Sequence, residues 1–569
     1  MLGLTRSCLS FCNKSISVVG GSKIKCIGSI QVNITYDQYS TQQILYFCQS
    51  VTRFFLSCQA CKELNIIPAS FPFPPAPPPP SLPTTAAINS TNDIPRTSPP
   101  PKPTSLPYPP TPDNIPLLKQ YLLNAFASSA FNITQPFPKL LTPPGHIHLK
   151  PNAVPHACHT PSVVAYHWEN EVKALIDRDV AAGILIPVPI GEASEWCARM
   201  VVVPKKNNSP RRTVDYQKLN SQCLRETHHC RSPFQTACRI PPNTKKTVLD
   251  AVDGYHSVAL DDSSSRLTTF ITPWGRYRYL RYPQGHRSAG DAYNSRIYKI
   301  LQHIQRMERI VDDTCIYDDN IESSFYHTWQ LLETCALNGV VVNSDKFQFC
   351  CDSVNFAGLT IGPNGVQPSS NMLGAIEKFP PPTDLTSARA WFGLVNQVQW
   401  AYANGPAMAP FRELVRPKSK FYWDKNLDNI FKKAKQRIIT QVQEGVRAFN
   451  IERHTCVQTD WSNKGIGYLL LQKYCECDLD QAPLCCHSGW HLVFAGSRFT
   501  NSAESRYAPT EGEALAVSWA LQHSRVFTLG CPKLMVSTDH RPLLGIFNDR
   551  HLDDIRNPRI CRLKEKTLF

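Results

Sequence analysis

Beyond residue 118 the apolar positions fall into alternating strand-like and helix-like runs, which predicts an α/β (α+β) chain up to the C-terminus. Lys245-Lys-Thr-Val-Leu-Asp250 reads as a strand that delivers an acid at its end, followed by a turn and Tyr255. In Glu308-Arg-Ile-Val-Asp312-Asp313-Thr-Cys-Ile-Tyr317 two aspartates separate two short apolar runs, the layout of a β-hairpin turn. Behind it Ile321, Phe325, Trp329, Leu332 and Cys335/Ala336 share one helical face, and Asn338-Gly339 predicts the C-cap. Asp319 and Glu322 fit the N-cap and N3 positions of that helix. Further on, Thr455 to Leu471 reads as a strand carrying Asp460, a Gly turn and a second apolar strand. Glu511-Gly-Glu513-Ala-Leu opens a helix, and Leu534-Met-Val-Ser-Thr-Asp539 is a strand that ends in an acid.

The first 67 residues read differently, as short β-type runs such as Ile30-Gln-Val-Asn-Ile between Gly and polar turns, ending in Ala60-Cys-Lys-Glu-Leu-Asn-Ile-Ile. That stretch is short for independent folding. Cys58-Gln-Ala-Cys61 matches C-x-x-C without a second pair nearby and fits a helix. Of 48 prolines, 18 lie between Phe71 and Pro116. They exclude helix and sheet ladder there and predict an extended polyproline spacer over residues 68–118, a docking site for a polyproline-reading partner being the alternative.

Length and composition sharpen this division. A chain of 569 residues, 42% hydrophobic and 18% charged, has room for about three or four globular domains. Its net charge of +15 divides into +4 in residues 1–118 and +11 after them. An acidic partner is favoured, because Lys and Arg lining a groove release counterions from a phosphate backbone; a generic basic surface is the bland alternative. The 22 cysteines are scattered through enzyme-like segments, which fits reduced intracellular thiols, in the cytoplasm or alternatively the nucleus. No run of about 18 uncharged apolar residues occurs and the N-terminus lacks a secretory layout, so no membrane partner is expected.

The acids carry the chemistry. Asp250, Asp312 and Asp313, three carboxylates from two strands, suit two Mg²⁺ ions for in-line attack on a phosphate ester, with Mn²⁺ as a substitute; a solvated turn is the simpler reading of Asp312-Asp313. Tyr317-Asp318-Asp319 is a decoy, because helix initiation explains its acids. Lys205, Lys206 and Arg211 flank a turn at Asn207-Asn-Ser-Pro, where flexible cations can neutralise a triphosphate, although each alone reads as a solvated charge. Asp460, Glu513 and Asp539 repeat the theme as strand, helix and strand, a metal-nuclease arrangement for two further Mg²⁺ ions. Singly, Glu511 or Glu513 could serve the helix N-terminus and Asp539 a turn. Between them lies an insertion with Cys475, Cys477, Cys485, Cys486, His487 and His491. It holds enough soft ligands for one Zn²⁺, with Cys475, Cys477 and Cys485 as the ligands named first. Its C-x-C start departs from the usual spacing, so free thiols are the expected state and zinc the alternative.

The ordered series Trp196-Cys-Ala-Arg-Met-Val-Val-Val-Pro-Lys-Lys to Val214-Asp-Tyr-Gln-Lys-Leu-Asn, Leu249-Asp-Ala, Phe270-Ile-Thr-Pro-Trp-Gly-Arg-Tyr, Tyr282-Pro-Gln-Gly-His and Val311-Asp-Asp resembles a gypsy-type LTR retrotransposon Pol polyprotein. The resemblance implies a right-hand fingers-and-palm polymerase over 119–362, a thumb and connection over 363–450, and a ribonuclease H-like domain over 451–569. It implies that Asp250, Asp312 and Asp313 bind the catalytic metals, that Tyr255 gates against ribose 2′-hydroxyls, and that Gln284 and Gly285 lie beside the nascent base pair. Template, primer, RNA/DNA hybrid and deoxynucleoside triphosphates are the implied partners; oligomeric state is left open. Ile310 departs from the family pattern, which often has an aromatic there, and that bears on primer positioning. The family's fourth nuclease acid and final helix are expected beyond Arg562-Leu-Lys-Glu-Lys-Thr-Leu-Phe569, so hybrid cleavage is the implied activity of this domain and its impairment the alternative. Residues 1–67, through Phe55-Leu-Ser-Cys-Gln-Ala-Cys-Lys-Glu-Leu-Asn-Ile-Ile, resemble an all-β retropepsin-type protease remnant. Its one aspartate, Asp37, lies outside an Asp-Ser/Thr-Gly turn, so no proteolysis is expected. The rival functional reading is a decayed or domesticated element that binds nucleic acid without catalysis.

Overall fold

The computed structural model describes residues 9–11, 16–17, 23–24, 26–48, 56–66, 98–133, 136–205, 208–402, 408, 410–412, 414, 421–477, 485–486 and 489–568. The chain divides into two compact units, one of residues 88–363 and one of residues 1–87 with 364–569. Among the described residues no helix is long and apolar enough to cross a membrane.

In the 88–363 unit Lys245–Asp250 is an interior strand of a four-stranded antiparallel sheet. Asp313–Asp318 lies on one side of it and Gln348–Cys351 on the other, with Met307–Ile310 at the edge. The strand is buried without a break from Lys246 to Leu249, so both of its faces are covered. Lys246 is tolerated there because its ammonium donates to Pro242 O and Thr244 O, both at 2.8 Å, and to Asp352 O at 3.2 Å.

The helix predicted behind the sheet runs Ile321–Asn338 and buries Ile321, Phe325, Trp329, Leu332 and Cys335. Gly339, at φ 72°, closes it in the left-handed conformation glycine tolerates best. The cap lies one residue beyond the Asp319 position predicted for it. Asn320 is extended and its side chain accepts from Ser323 N at 2.8 Å, while Asp319 is held by two bonds from Arg306 at 2.6 and 2.8 Å. Helix Ile115–Ala125 begins inside the stretch read as spacer, and it buries Leu118 and Leu122 in the same core. Residues 68–97 of that stretch lie outside the described residues.

A second sheet in this unit has the order Leu185–Pro187, Gly275–Tyr279, Phe270–Thr272, Ala198–Pro204, Pro210–Asp215. The chain leaves its Gly275–Tyr279 strand through Arg281, which is only 2% exposed. Its guanidinium donates to Phe137 O at 2.9 Å, His256 O at 3.2 Å and Gly183 O at 3.3 Å, tying three separate segments together. Arg281→Met keeps the apolar stem but strands these carbonyls, and is expected to destabilise the unit by about 3 kcal/mol. The check is the thermal midpoint of the full chain, which should fall by several degrees; an unchanged midpoint removes the anchoring role.

The other unit holds a sheet of Trp490–Phe499, Gly465–Lys473, Thr455–Trp461 and Leu534–Ser537, the last pair parallel and the others antiparallel. Helix Pro509–His523 packs on Thr455–Trp461 at Gly512, where an added Cβ would meet Trp461 ring carbons at 2.2 Å. Helix Pro558–Glu565 closes the far side, setting Ile560 and Leu563 in one cluster with Ala514 and Val517. Near the N-terminus Cys26–Tyr36 and Tyr39–Cys48 form an antiparallel hairpin turning through Asp37, at φ 53°. The helix Cys58–Glu63, which carries the C-x-x-C pair, returns Glu63 to accept from Gln43 at 2.9 Å and from Thr41.

Candidate active sites

The first cluster of acids forms where two strands of the 88–363 unit end. Register pairs Asp313 directly with Asp250, and Ile310 with Asp313, so Val311-Asp312 forms a two-residue hairpin turn. Val311 takes φ 50°, a conformation costing a β-branched residue roughly 1–2 kcal/mol, so the surrounding contacts impose it. Arg309 donates to its carbonyl, and Ala251 N donates to Asp312 O at 2.9 Å. Gly254 lets the next segment close in: a Cβ there would lie 2.7 Å from Asp312 Oδ1 and 2.6 Å from the Tyr293 ring.

Electrostatically the burial and mutual repulsion of the acids outweigh the two nearby cations, Arg309 and Lys346. Burial raises the Asp312 carboxyl, with Arg309 opposing and Asp250 adding to the shift. Burial, then the Asp250 charge, raises Asp313. Lys346 Nζ contacts Asp250 Oδ2 at 3.0 Å, and Ala357 N donates to Asp313 Oδ2 at 3.0 Å. Asp312 Oδ1 is buried with no hydrogen-bond partner. An unsatisfied carboxylate oxygen in a group of three acids fits a divalent cation, because hard oxygen donors are what such ions take.

The structure sorts the residues expected around this cluster. Tyr255, in the short helix Gly254–Ser257, is half-buried and stands edge-on to Tyr293 with centroids 6.0 Å apart. Its hydroxyl is raised by burial and then by Asp312, which places it in the electrostatic reach of the acids. Gln284 and Gly285 lie on an exposed turn, where Gly285 takes φ 92° and its carbonyl accepts from Asn220 at 2.9 Å. Lys205 and Arg211 are exposed on the Ala198–Pro204/Pro210–Asp215 hairpin, and Lys206 lies outside the described residues. Among the described residues no hydrogen bond or ion pair joins Lys205, Arg211 or Gln284 to the acids. The decoy acids have structural partners: Asp318 contacts His327 Nδ1 at 3.1 Å and Asp319 holds Arg306. Lys346, Arg309 and Gly254 were not found by reading the sequence. Gly254 alone carried a local signal, a glycine wedged between Asp253 and Tyr255.

The second cluster lies in the other unit. Asp460 stands near the end of Thr455–Trp461 opposite Gly467, and Asp539 follows the parallel strand Leu534–Ser537. Both line a cavity of about 390 Å³ with Ser497, Ser537 and Thr538. Glu513 projects from the first turns of Pro509–His523; burial, then Asp539 and Asp460, push it up to about 7. Asp460 is raised by burial and by Asp539, so the three acids sense one another. Glu513 Oε2 is a second buried oxygen without a partner. Glu511 separates cleanly from this group, accepting from Asn557 at 2.8 Å and Arg559 at 2.7 Å, and is held low first by the Asn557 bond.

Each cluster lies within a stretch of the chain that matches a known family. Residues 203–361 match the reverse transcriptase (RNA-dependent DNA polymerase) family, and residues 450–567 match the RNase H-like domain found in reverse transcriptase. Three Drosophila melanogaster relatives are the retrovirus-related Pol polyproteins from transposon opus, transposon 297 and transposon gypsy. The first is 25% identical over 406 residues, covering 68% of this chain and 39% of the relative. The second is 27% identical over 357 residues, covering 61% and 32%, and the third 25% identical over 426 residues, covering 69% and 37%. The chain thus spans less than two fifths of the length of each. Among solved structures, foamy viral protease-reverse transcriptase in complex with RNA/DNA hybrid superposes with a TM-score of 0.66 at 15% identity, covering 82% of this chain and 62% of that one. The same viral protein in a dRH form with double-stranded DNA gives 0.62 at 14% identity, covering 97% and 90%. The chain joins a reverse transcriptase domain to an RNase H-like domain and is a homologue of the Pol polyproteins of gypsy and other retrotransposons.

Proposed function

We propose that the chain is an RNA-directed DNA polymerase that adds deoxynucleotides to a primer 3′-hydroxyl, and that its RNase H-like domain cuts the RNA of an RNA/DNA hybrid. The orphaned, buried Asp312 Oδ1 beside Asp250 and Asp313 supports the polymerase reading best. Asp250, Asp312 and Asp313 would hold two Mg²⁺ ions, which when bound activate the 3′-hydroxyl and stabilise the leaving phosphate oxygen. The strained Val311 turn fixes the direction of the Asp312 and Asp313 carboxylates, and Lys346 orients that of Asp250. Lys205, Lys206 and Arg211 neutralise the incoming triphosphate, Gln284-Gly285 borders the nascent base pair, and the basic excess beyond residue 118 lines the template-primer path. Asp460, Glu513 and Asp539 serve the hybrid-cleaving site in the same manner. Foamy viral reverse transcriptase bound to RNA/DNA hybrid and to double-stranded DNA supports these partners by likeness of fold.

The direct test is extension of a DNA primer on a ribonucleotide template by the full chain with and without Mg²⁺. Binding without extension under any divalent ion would favour the non-catalytic remnant instead. Tyr255, packed between Gly290 and Tyr293, limits the room beside the sugar. Tyr255→Val is expected to raise ribonucleotide relative to deoxynucleotide incorporation roughly 10-fold to 100-fold. Competitive single-nucleotide incorporation measures this, and an unchanged ratio removes the gate from Tyr255.

A further inference from the structure

The hairpin joining Gly465–Lys473 to Trp490–Phe499 carries four cysteines outside both acidic clusters. Its last ladder pair is Lys473 with Trp490, and one more rung follows, Tyr474 N donating to Gly489 O at 2.7 Å. Past that rung the chain brings Cys475 and Cys477 in from one side and Cys485 and Cys486 from the other. Their four sulfurs all lie within 4.8 Å of one another, with Cys475 Sγ and Cys485 Sγ 3.4 Å apart. Zinc bonded to sulfur at ~2.3 Å sets its ligands about 3.8 Å apart around a tetrahedron, so these thiols stand close to a complete ligand set.

The surroundings are built around the sulfurs. A Cβ on Gly489 would lie 2.4 Å from Cys475 Sγ and 2.5 Å from Cys486 Sγ, so only glycine leaves both in place. Trp490 Nε1 donates to Cys485 Sγ at 3.3 Å, and Lys473 brings its ammonium to the Cys477 carbonyl. An N–H donor and a cation offset the negative charge that four thiolates leave around a divalent ion.

We propose that Cys475, Cys477, Cys485 and Cys486 bind one zinc ion that clamps this hairpin. Four soft donors select zinc over magnesium, and four protein ligands leave no open position for chemistry, so the site is structural. The assignment reverses the expectation of free thiols drawn from the C-x-C spacing. The hairpin register supplies the second pair that the linear pattern lacked, and Cys486 completes the three cysteines named from sequence. His491, by contrast, faces Tyr474 with ring centroids 5.0 Å apart, and His487 lies outside the described residues.

The full chain, purified under reducing conditions and dialysed, should carry one zinc per molecule by elemental analysis. Exchange with Co²⁺ should give intense thiolate-to-cobalt absorption and visible bands of tetrahedral strength. The double variant Cys477→Ser/Cys486→Ser should lose both, with its far-ultraviolet circular dichroism spectrum as the folding control. Absence of the cobalt bands in the wild-type chain overturns the proposal whether or not the variant folds. So does zinc content that survives in the variant, or a native mass lower by the hydrogens of paired disulfides.

Discussion

Asp312→Asn is expected to reduce primer extension on a ribonucleotide template on the order of 10³-fold while leaving hybrid binding in a gel shift largely intact. The substitution is nearly isosteric, so the Val311-Asp312 turn and the Ala251 N to Asp312 O bond persist. What it removes is the anionic pair of oxygens, one of them buried and unpartnered in the present fold. An amide in that place either turns an N–H donor toward the ions or offers a single neutral oxygen, and neither balances the positive charge that phosphoryl transfer needs there. Asp319→Asn provides the contrast: its bonds to Arg306 are exposed and screened by solvent, so extension should hardly change. If Asp312→Asn extends primers as the parent chain does, the acids have been assigned to the wrong role.

How much of this could be read in the sequence depended on distance along the chain. The strand ending at Asp250, the acidic hairpin and the Ile321–Asn338 helix follow from local periodicity and turn chemistry, and they stand where the pattern put them. The helix cap was misplaced because a partner 13 residues earlier, Arg306, captures Asp319 and leaves Asn320 to cap. Lys346 was invisible for the same kind of reason: 96 residues separate it from Asp250, and only the pairing of Gln348–Cys351 with Lys245–Asp250 brings it there. At the second cluster two glutamates two residues apart were equivalent in sequence. They part in the fold because Glu511 turns to Arg559 and Asn557 while Glu513 turns inward. The cysteine insertion shows the converse limit, since a spacing rule judged the pairs separately and hairpin register joins them.

The same separation makes Glu513→Gln the second large effect, expected to lower cleavage of an RNA/DNA hybrid on the order of 10³-fold without changing primer extension. Glu513 is buried, is pushed up to about 7 by burial and by Asp539 and Asp460, and keeps Oε2 unpartnered. At a pH below that value the carboxyl holds a proton that a divalent ion must displace. The Mg²⁺ concentration needed for half-maximal cleavage should therefore rise as pH falls through 7. The Gln variant has no proton to lose and should stay inactive across that range. Glu511→Gln distinguishes this from a merely weakened helix: it gives up the charge facing Arg559, costs about 1 kcal/mol, and should leave cleavage and its pH dependence in place. Cleavage that survives in Glu513→Gln but disappears in Glu511→Gln would exchange the roles of the two residues. Absence of cleavage in the parent chain would reject the nuclease reading while the extension assay still decides the polymerase, because the two sets of acids belong to different units.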